Sequence, residues 1–131
     1  MADQKEEALK RLEKLFQSSD TGMTRSKYFE MMEQLGKDPV EQEIPPDYDD
    51  LPEIMLNAVV VFNALGDRVY PEIGYIGKDY TNLPIFLKIY DIEDKDYFLE
   101  ILSWLDSRAI KKAADNLKRE YDKLKRKSSG K

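Results

Sequence analysis

The sequence predicts an all-α fold: a small helical domain with a buried central helix and a long C-terminal helix. Three observations lead there. Residues 51–65 are apolar on nearly every helical side and lie between a start and a stop signal. A one-face apolar pattern of helical period runs from Asp94 far into the tail. Two shorter patterns of the same kind occupy the first 35 residues.

In chain order, Ala8, Leu9, Leu12, Leu15 and Phe16 mark a helix over residues 3–17, broken at Ser18–Gly22. Isolated helices of that length are marginal in water, so it must dock or stay mobile. Thr24 can cap a second helix, Arg25–Leu35, with Tyr28, Phe29, Met31, Met32 and Leu35 on one face and Gly36 closing it. Pro39, Pro45 and Pro46 make Lys37–Asp50 an extended linker, and from Asp38 to Glu53 there are seven acids and no base. Asp50, Pro52 and Glu53 then give the start signal of the central helix, and Gly66 its expected left-handed end. Ile54, Met55, Leu56, Val59, Val60, Val61, Phe62 and Leu65 leave only Asn57 and Asn63 polar, so cover is expected on almost all sides. The β-prone Val59-Val60-Val61 makes a buried strand the competing assignment. Residues 67–82, with Tyr70, Ile73, Tyr75, Ile76 and Tyr80 among two glycines, read as an ordered loop or a hairpin tucked under the core. Thr81 or Asn82 can cap a short helix, Leu83–Tyr90. Asp94 opens the longest one, which reaches about Lys127 before Ser128–Lys131 frays. The domain reading is 1–23 as N-terminal helix and linker, 24–110 as helical core, and 111–131 as basic helical extension and tail.

Composition narrows the chemistry. The chain has 131 residues, no cysteine and no histidine. That excludes a disulfide, a thiol nucleophile and an imidazole base, and it argues against an ordinary zinc site. No apolar run approaches the roughly 18–20 residues that span a bilayer, and the N-terminus lacks a signal peptide's pattern. A cytoplasmic protein without a membrane partner is expected. The net charge of −5 is split unevenly: from Arg108 onward ten Lys/Arg face three acids, and residues 1–107 hold eleven against twenty-three. The chain is thus an acidic body with a basic tail.

Apparent motifs fail on spacing. Gly74-Tyr75-Ile76-Gly77-Lys78 has two residues between its glycines where a phosphate loop needs four, and Asp79 comes after the lysine. Asp91–Asp96 lacks the glycine and the final glutamate of a calcium loop. Asp47, Asp49, Asp50 and Glu53 could hold a hard cation, but carboxylates are already favourable at a helix start. No pair of groups is visibly poised for acid–base work. The expectation is no catalytic residues, no cofactor and no metal. Partner-binding candidates are Met31 and Met32, adaptable contacts on one helix, then Tyr75, Lys78 and Tyr80 in the 67–82 segment. Lys118, Arg119, Lys125 and Arg126 join them on the terminal helix. Ile110, Leu117 and Leu124 are spaced by seven, which permits a coiled-coil contact and leaves oligomeric state open.

The run from Thr24 to Gly36, then Ile44–Asp47 and Asp50–Pro52, resembles small proteins of tailed bacteriophages. So do Leu65–Tyr70 and Gly77–Tyr80. The likeness covers about residues 24–127. It implies an assembly or accessory factor in the cytoplasm of a bacterial host. Such a factor is non-enzymatic and binds another protein, a phage structural component or a host factor. The alternative is a nucleic-acid-associated factor, such as a small packaging subunit or transcription accessory protein, using the basic tail.

Overall fold

The computed structural model describes residues 2–129. Among them are five α-helices, two short 3-10 turns and one two-stranded antiparallel sheet. The fold is mostly helical, and the sheet corrects the all-α expectation. The described chain divides into two compact units, one up to Leu56 and one from Asn57 onward.

In the first unit, α1 spans Ala2–Thr21. It runs through the serines where a break is expected, because no residue there forbids helix. It ends only where Gly22 adopts φ +80°. Ala8, Leu12 and Leu15 are its buried face. The next helix, α2, spans Arg25–Leu35. The Thr24 hydroxyl accepts from the Lys27 amide at 3.3 Å, and left-handed Gly36 closes the last turn. The segment after α2 is not the extended linker expected of its prolines. Residues 41–43 and 48–50 are 3-10 turns, and α2 holds them. The Tyr28 hydroxyl accepts from the Val40 amide at 3.1 Å and donates to Glu43 at 3.4 Å. Arg25 donates to the Pro45 carbonyl at 2.9 Å and pairs with the Asp50 carboxylate.

Helix α3, Glu53–Ala64, begins in the first unit and ends in the second. Its first amides, Met55 and Leu56, donate to the Pro52 carbonyl. Asp50 is not its cap, since that carboxylate accepts from the Asp47 amide at 3.0 Å in a capping box of the preceding turn. The valine run is helical, not a strand. Met55, Ala58, Val59, Val61 and Phe62 are buried, with Leu65 just beyond. Val60 is 50% exposed, and Asn63 and Ala64 are exposed beside it. The helix is therefore covered on most of its circumference but not all of it. Consecutive residues are about 100° apart, so an outward strip at 60, 63 and 64 survives. A single exposed valine is ordinary on a folded surface.

The second unit continues with a hairpin, β1 Gly66–Tyr70 and β2 Gly74–Asp79. Gly66 enters β1 directly and does not take the left-handed closure expected of it. Val69, Tyr70, Tyr75 and Ile76 favour extended backbone. Pro71, Glu72 at φ +70° and Gly74 at φ +88° turn the chain. Pairing slips at Arg68/Val69: Arg68 faces Gly77 and Val69 faces Tyr75, leaving Ile76 as a bulge. Tyr70 and Ile73 stay exposed, so this segment is only partly tucked away. Helix α4 spans Leu83–Ile89, with Asn82 at its start making no side-chain cap. Asp91, φ +50°, ends it in left-handed geometry, and the Asp94 carboxylate accepts from the Tyr97 amide at 3.1 Å to start α5, Lys95–Ser129. Those two roles account for two of the four acids that mimic a calcium loop, Asp91 and Asp94.

Helix α5 has 35 residues, about 52 Å at ~1.5 Å each. Tyr97, Phe98, Ile101, Leu102 and Leu105 are buried, while every residue from Ala114 to Ser128 is exposed. The helix is continuous through Ser128 and Ser129; Gly130 and Lys131 lie outside the described residues. No helix among the described residues is long and apolar enough to cross a membrane.

Burial sets the cost of substitution here. Phe98→Ala, at 0% exposure, should lower the unfolding free energy in urea titration by about 3–5 kcal/mol. Val60→Lys should change it by no more than about 0.5 kcal/mol.

Candidate functional site

The densest polar arrangement lies where β2 packs on α5, and it centres on Asp106. This carboxylate is 8% exposed. Burying a charge is costly unless donors surround it, and here they do. The Tyr75 hydroxyl donates to Oδ1 at 2.5 Å, the Tyr80 hydroxyl to Oδ2 at 2.7 Å, and the Lys78 amide to Oδ2 at 3.1 Å. The amide is available because the sheet has two strands only, so one edge of β2 has no neighbouring strand to bond. Gly77 makes the approach possible. Its φ is +129°, and a Cβ there would lie 3.2 Å from both Arg68 Nη2 and Asp106 Oδ2. The glycines of the phosphate-loop lookalike thus serve a turn and a close approach.

Burial alone would push the Asp106 carboxyl up. The two tyrosine hydroxyls, the Lys78 amide and the Arg68 charge together outweigh burial and hold it below its ordinary value. Burial, then the bond to Asp106, raises both the Tyr75 and Tyr80 hydroxyls above theirs. Asp106 is therefore a poor proton acceptor at neutral pH, and the tyrosines are poor acids. The group acts as a tie between hairpin and helix.

A second tie uses Lys78. It is 8% exposed, and its ammonium donates to Asp67 at 2.6 Å and to the Leu65 carbonyl at 3.3 Å. It also lies 4.6 Å from the centroid of the Phe62 ring, a cation–π contact. The structure thus brings Tyr75, Lys78 and Tyr80 together, but as internal anchors. The hydroxyls and the ammonium point to groups of the chain itself, Lys78 is buried, and the Tyr80 ring stays 36% exposed at the surface. Sequence reasoning did not single out Asp106, Arg68 or Asp67. The available signal was an acid four residues after Leu102, at the edge of the buried face of a helix.

Met31 and Met32 are half-buried on α2. Lys118, Arg119, Lys125 and Arg126 are all exposed on the second half of α5. Arg119 and Arg126 share one face and Lys118 and Lys125 another, since seven residues make about two turns. Leu117, Tyr121 and Leu124, 44%, 68% and 67% exposed, form an apolar stripe beside the Lys118/Lys125 face and opposite Arg119 and Arg126. Beside Asp106 an open cleft of about 450 Å³ continues this stripe toward the N-terminal half of α5, lined by Tyr80, Leu83, Leu99, Leu102, Ser103 and Ile110 among others. In the first unit, Asp47 and Asp50 are engaged in the capping box and Asp50 with Arg25, which accounts for two of the four acids that suggest a cation site. No group of three or more potential metal-ligating side chains occurs among the described residues.

Comparison with protein-family models, curated proteins and solved structures finds no match to this chain.

The Asp106 tie has two measurable consequences. Its folded pKa is depressed, so its stabilising contribution is present above the ordinary value of 3.8 and is lost as pH falls through the lower folded value. The stability gap between the native chain and Asp106→Asn, read by urea unfolding, should therefore close on acidification and be full at neutral pH. Gly77→Ala should cost about 1–3 kcal/mol in the same assay, since it adds both a strained φ and a clash.

Proposed function

We propose that this protein is a non-enzymatic, protein-binding accessory factor whose contact element is the exposed second half of α5. One observation carries the reading: fifteen consecutive exposed residues, 114–128, keep an apolar stripe of Leu117, Tyr121 and Leu124. Aligned apolar side chains on an otherwise solvated helix are the pattern of helix-in-groove or helix-pair recognition. The saturated Asp106 and the absence of histidine and cysteine from the sequence favour binding over catalysis. The likeness to tailed-phage proteins supports a role in virion assembly in the bacterial cytoplasm, with a phage structural component or host factor as partner.

A nucleic-acid-associated role is the second reading, favoured by the exposure of Lys118, Arg119, Lys125 and Arg126. The acidic balance of residues 1–107 opposes approach to a polyanion.

Affinity capture on the full chain separates them. A phage or host protein retained by the native chain, and lost with Leu117→Glu/Leu124→Glu, is the expected result. Retention on heparin or DNA that falls steeply with salt, and disappears with Arg119→Glu/Arg126→Glu but not with the leucine variant, would establish the nucleic-acid reading instead.

A further inference from the structure

We infer that the stripe on α5 seats the same stripe of a second copy of this chain, as an antiparallel helix pair with Ile110 at the two-fold axis. This rests on the reading of α5 as a docking surface and adds its occupant. The stripe is longer than the exposed tail. Leu99 is 44% exposed and Ile110 37% exposed, and both fall on the same helical face as Leu117, Tyr121 and Leu124. Exposed Ser103 and Ala114 lie on that face too, small enough for a second helix to come close. From Leu99 to Leu124 the strip runs about 37 Å at ~1.5 Å per residue.

The register is self-complementary. In an antiparallel pair centred on residue 110, Leu99 of one copy meets Tyr121 of the other, Ser103 meets Leu117, and Ile110 meets itself. A two-fold pair requires such reciprocity of its surface patch. The large exposed side chains of each tail enter the partner's cleft of about 450 Å³ beside Leu83, Leu99 and Leu102.

Charge selects this occupant and this direction. Residues 91–106 carry six acids and one base, and residues 111–127 carry eight bases and three acids. A parallel pair would set like against like. The antiparallel pair sets the acidic start of each helix against the basic end of the other. On one flank of the stripe Glu100 comes within about 3 Å of the level of Lys118 along the axis, and Asp96 within about 1.5 Å of that of Lys125. All four are exposed in the single chain. Arg119 and Arg126 are turned outward, away from the seam.

Sedimentation equilibrium of the full chain tests the pairing. A mass of twice 15.3 kDa is expected. Leu117→Glu/Leu124→Glu, at positions already exposed, should raise the dimer dissociation constant about tenfold or more. Glu100→Lys and Lys118→Glu should each weaken the dimer, and the two together should restore it. Direction is read by cross-linking, because the chain has no native cysteine. Ile110→Cys should form a disulfide-linked dimer on mild oxidation. Leu124→Cys should not, since its two copies would lie about 42 Å apart along the helices. Cross-linking at residue 124, or failure of the charge swap to restore the dimer, overturns the antiparallel register. A monomer at every concentration overturns the second-copy inference. If that monomer still loses a captured protein on Leu117→Glu/Leu124→Glu, the docking reading of α5 stands and only its occupant was wrong; if it loses nothing, both fall.

Discussion

A buried carboxylate on α5 must be surrounded by donors, and the architecture of the second unit reflects how those donors are supplied. Helix α5 cannot supply them itself, because its amides are already committed to its own backbone. They come from β2 and the residue just past it: two tyrosine hydroxyls and one main-chain amide. A two-stranded hairpin is marginal alone in water, and this one is held because its inner strand satisfies a charge that would otherwise be stranded. The positive φ of Gly77 and the missing Cβ there are what let backbone come that close to a side chain.

The same strand is tied a second time by a charge of opposite sign. Lys78 lends its amide to Asp106 and sends its ammonium to Asp67, the Leu65 carbonyl and the Phe62 ring. One residue therefore connects the hairpin both to α5 and to the end of α3. The first unit repeats the device in a more exposed setting. There Arg25 and Tyr28 of α2 hold an acidic, proline-rich segment through the Pro45 carbonyl, the Asp50 carboxylate, Glu43 and the Val40 amide. In both units helix side chains hold a neighbouring segment through its backbone as well as its side chains.

Helix α5 changes character along its length. Its first half is core, with Phe98, Ile101, Leu102 and Leu105 buried. Its second half keeps apolar spacing while exposed, and its charge changes sign on the way. Interior packing and an exposed apolar stripe are thus joined in one continuous helix, so whatever seats on the tail is positioned relative to the Asp106 tie. That continuity lets a small, mostly helical unit present a contact surface without a pocket built for chemistry.

Local pattern settles the helices. Thr24 and Gly36 bound α2, Asp94 starts α5, and the periodic leucines and isoleucines choose the buried faces, because caps and helical period are local properties. It also determined which side of the tail is apolar, though not what covers it. Tertiary structure alone decided the rest. Whether residues 67–82 pair as strands depended on a carboxylate 28 residues beyond Lys78. The same carboxylate binds the Tyr75 and Tyr80 hydroxyls and the Lys78 amide, in an aromatic, glycine-bearing segment that reads equally well as a recognition loop. Val60 lies open and Val61 closed for a similar reason: neighbours cover only part of a helix whose sequence is greasy all round. Local pattern says which residues tolerate burial, and only the packed chain says which of them are buried.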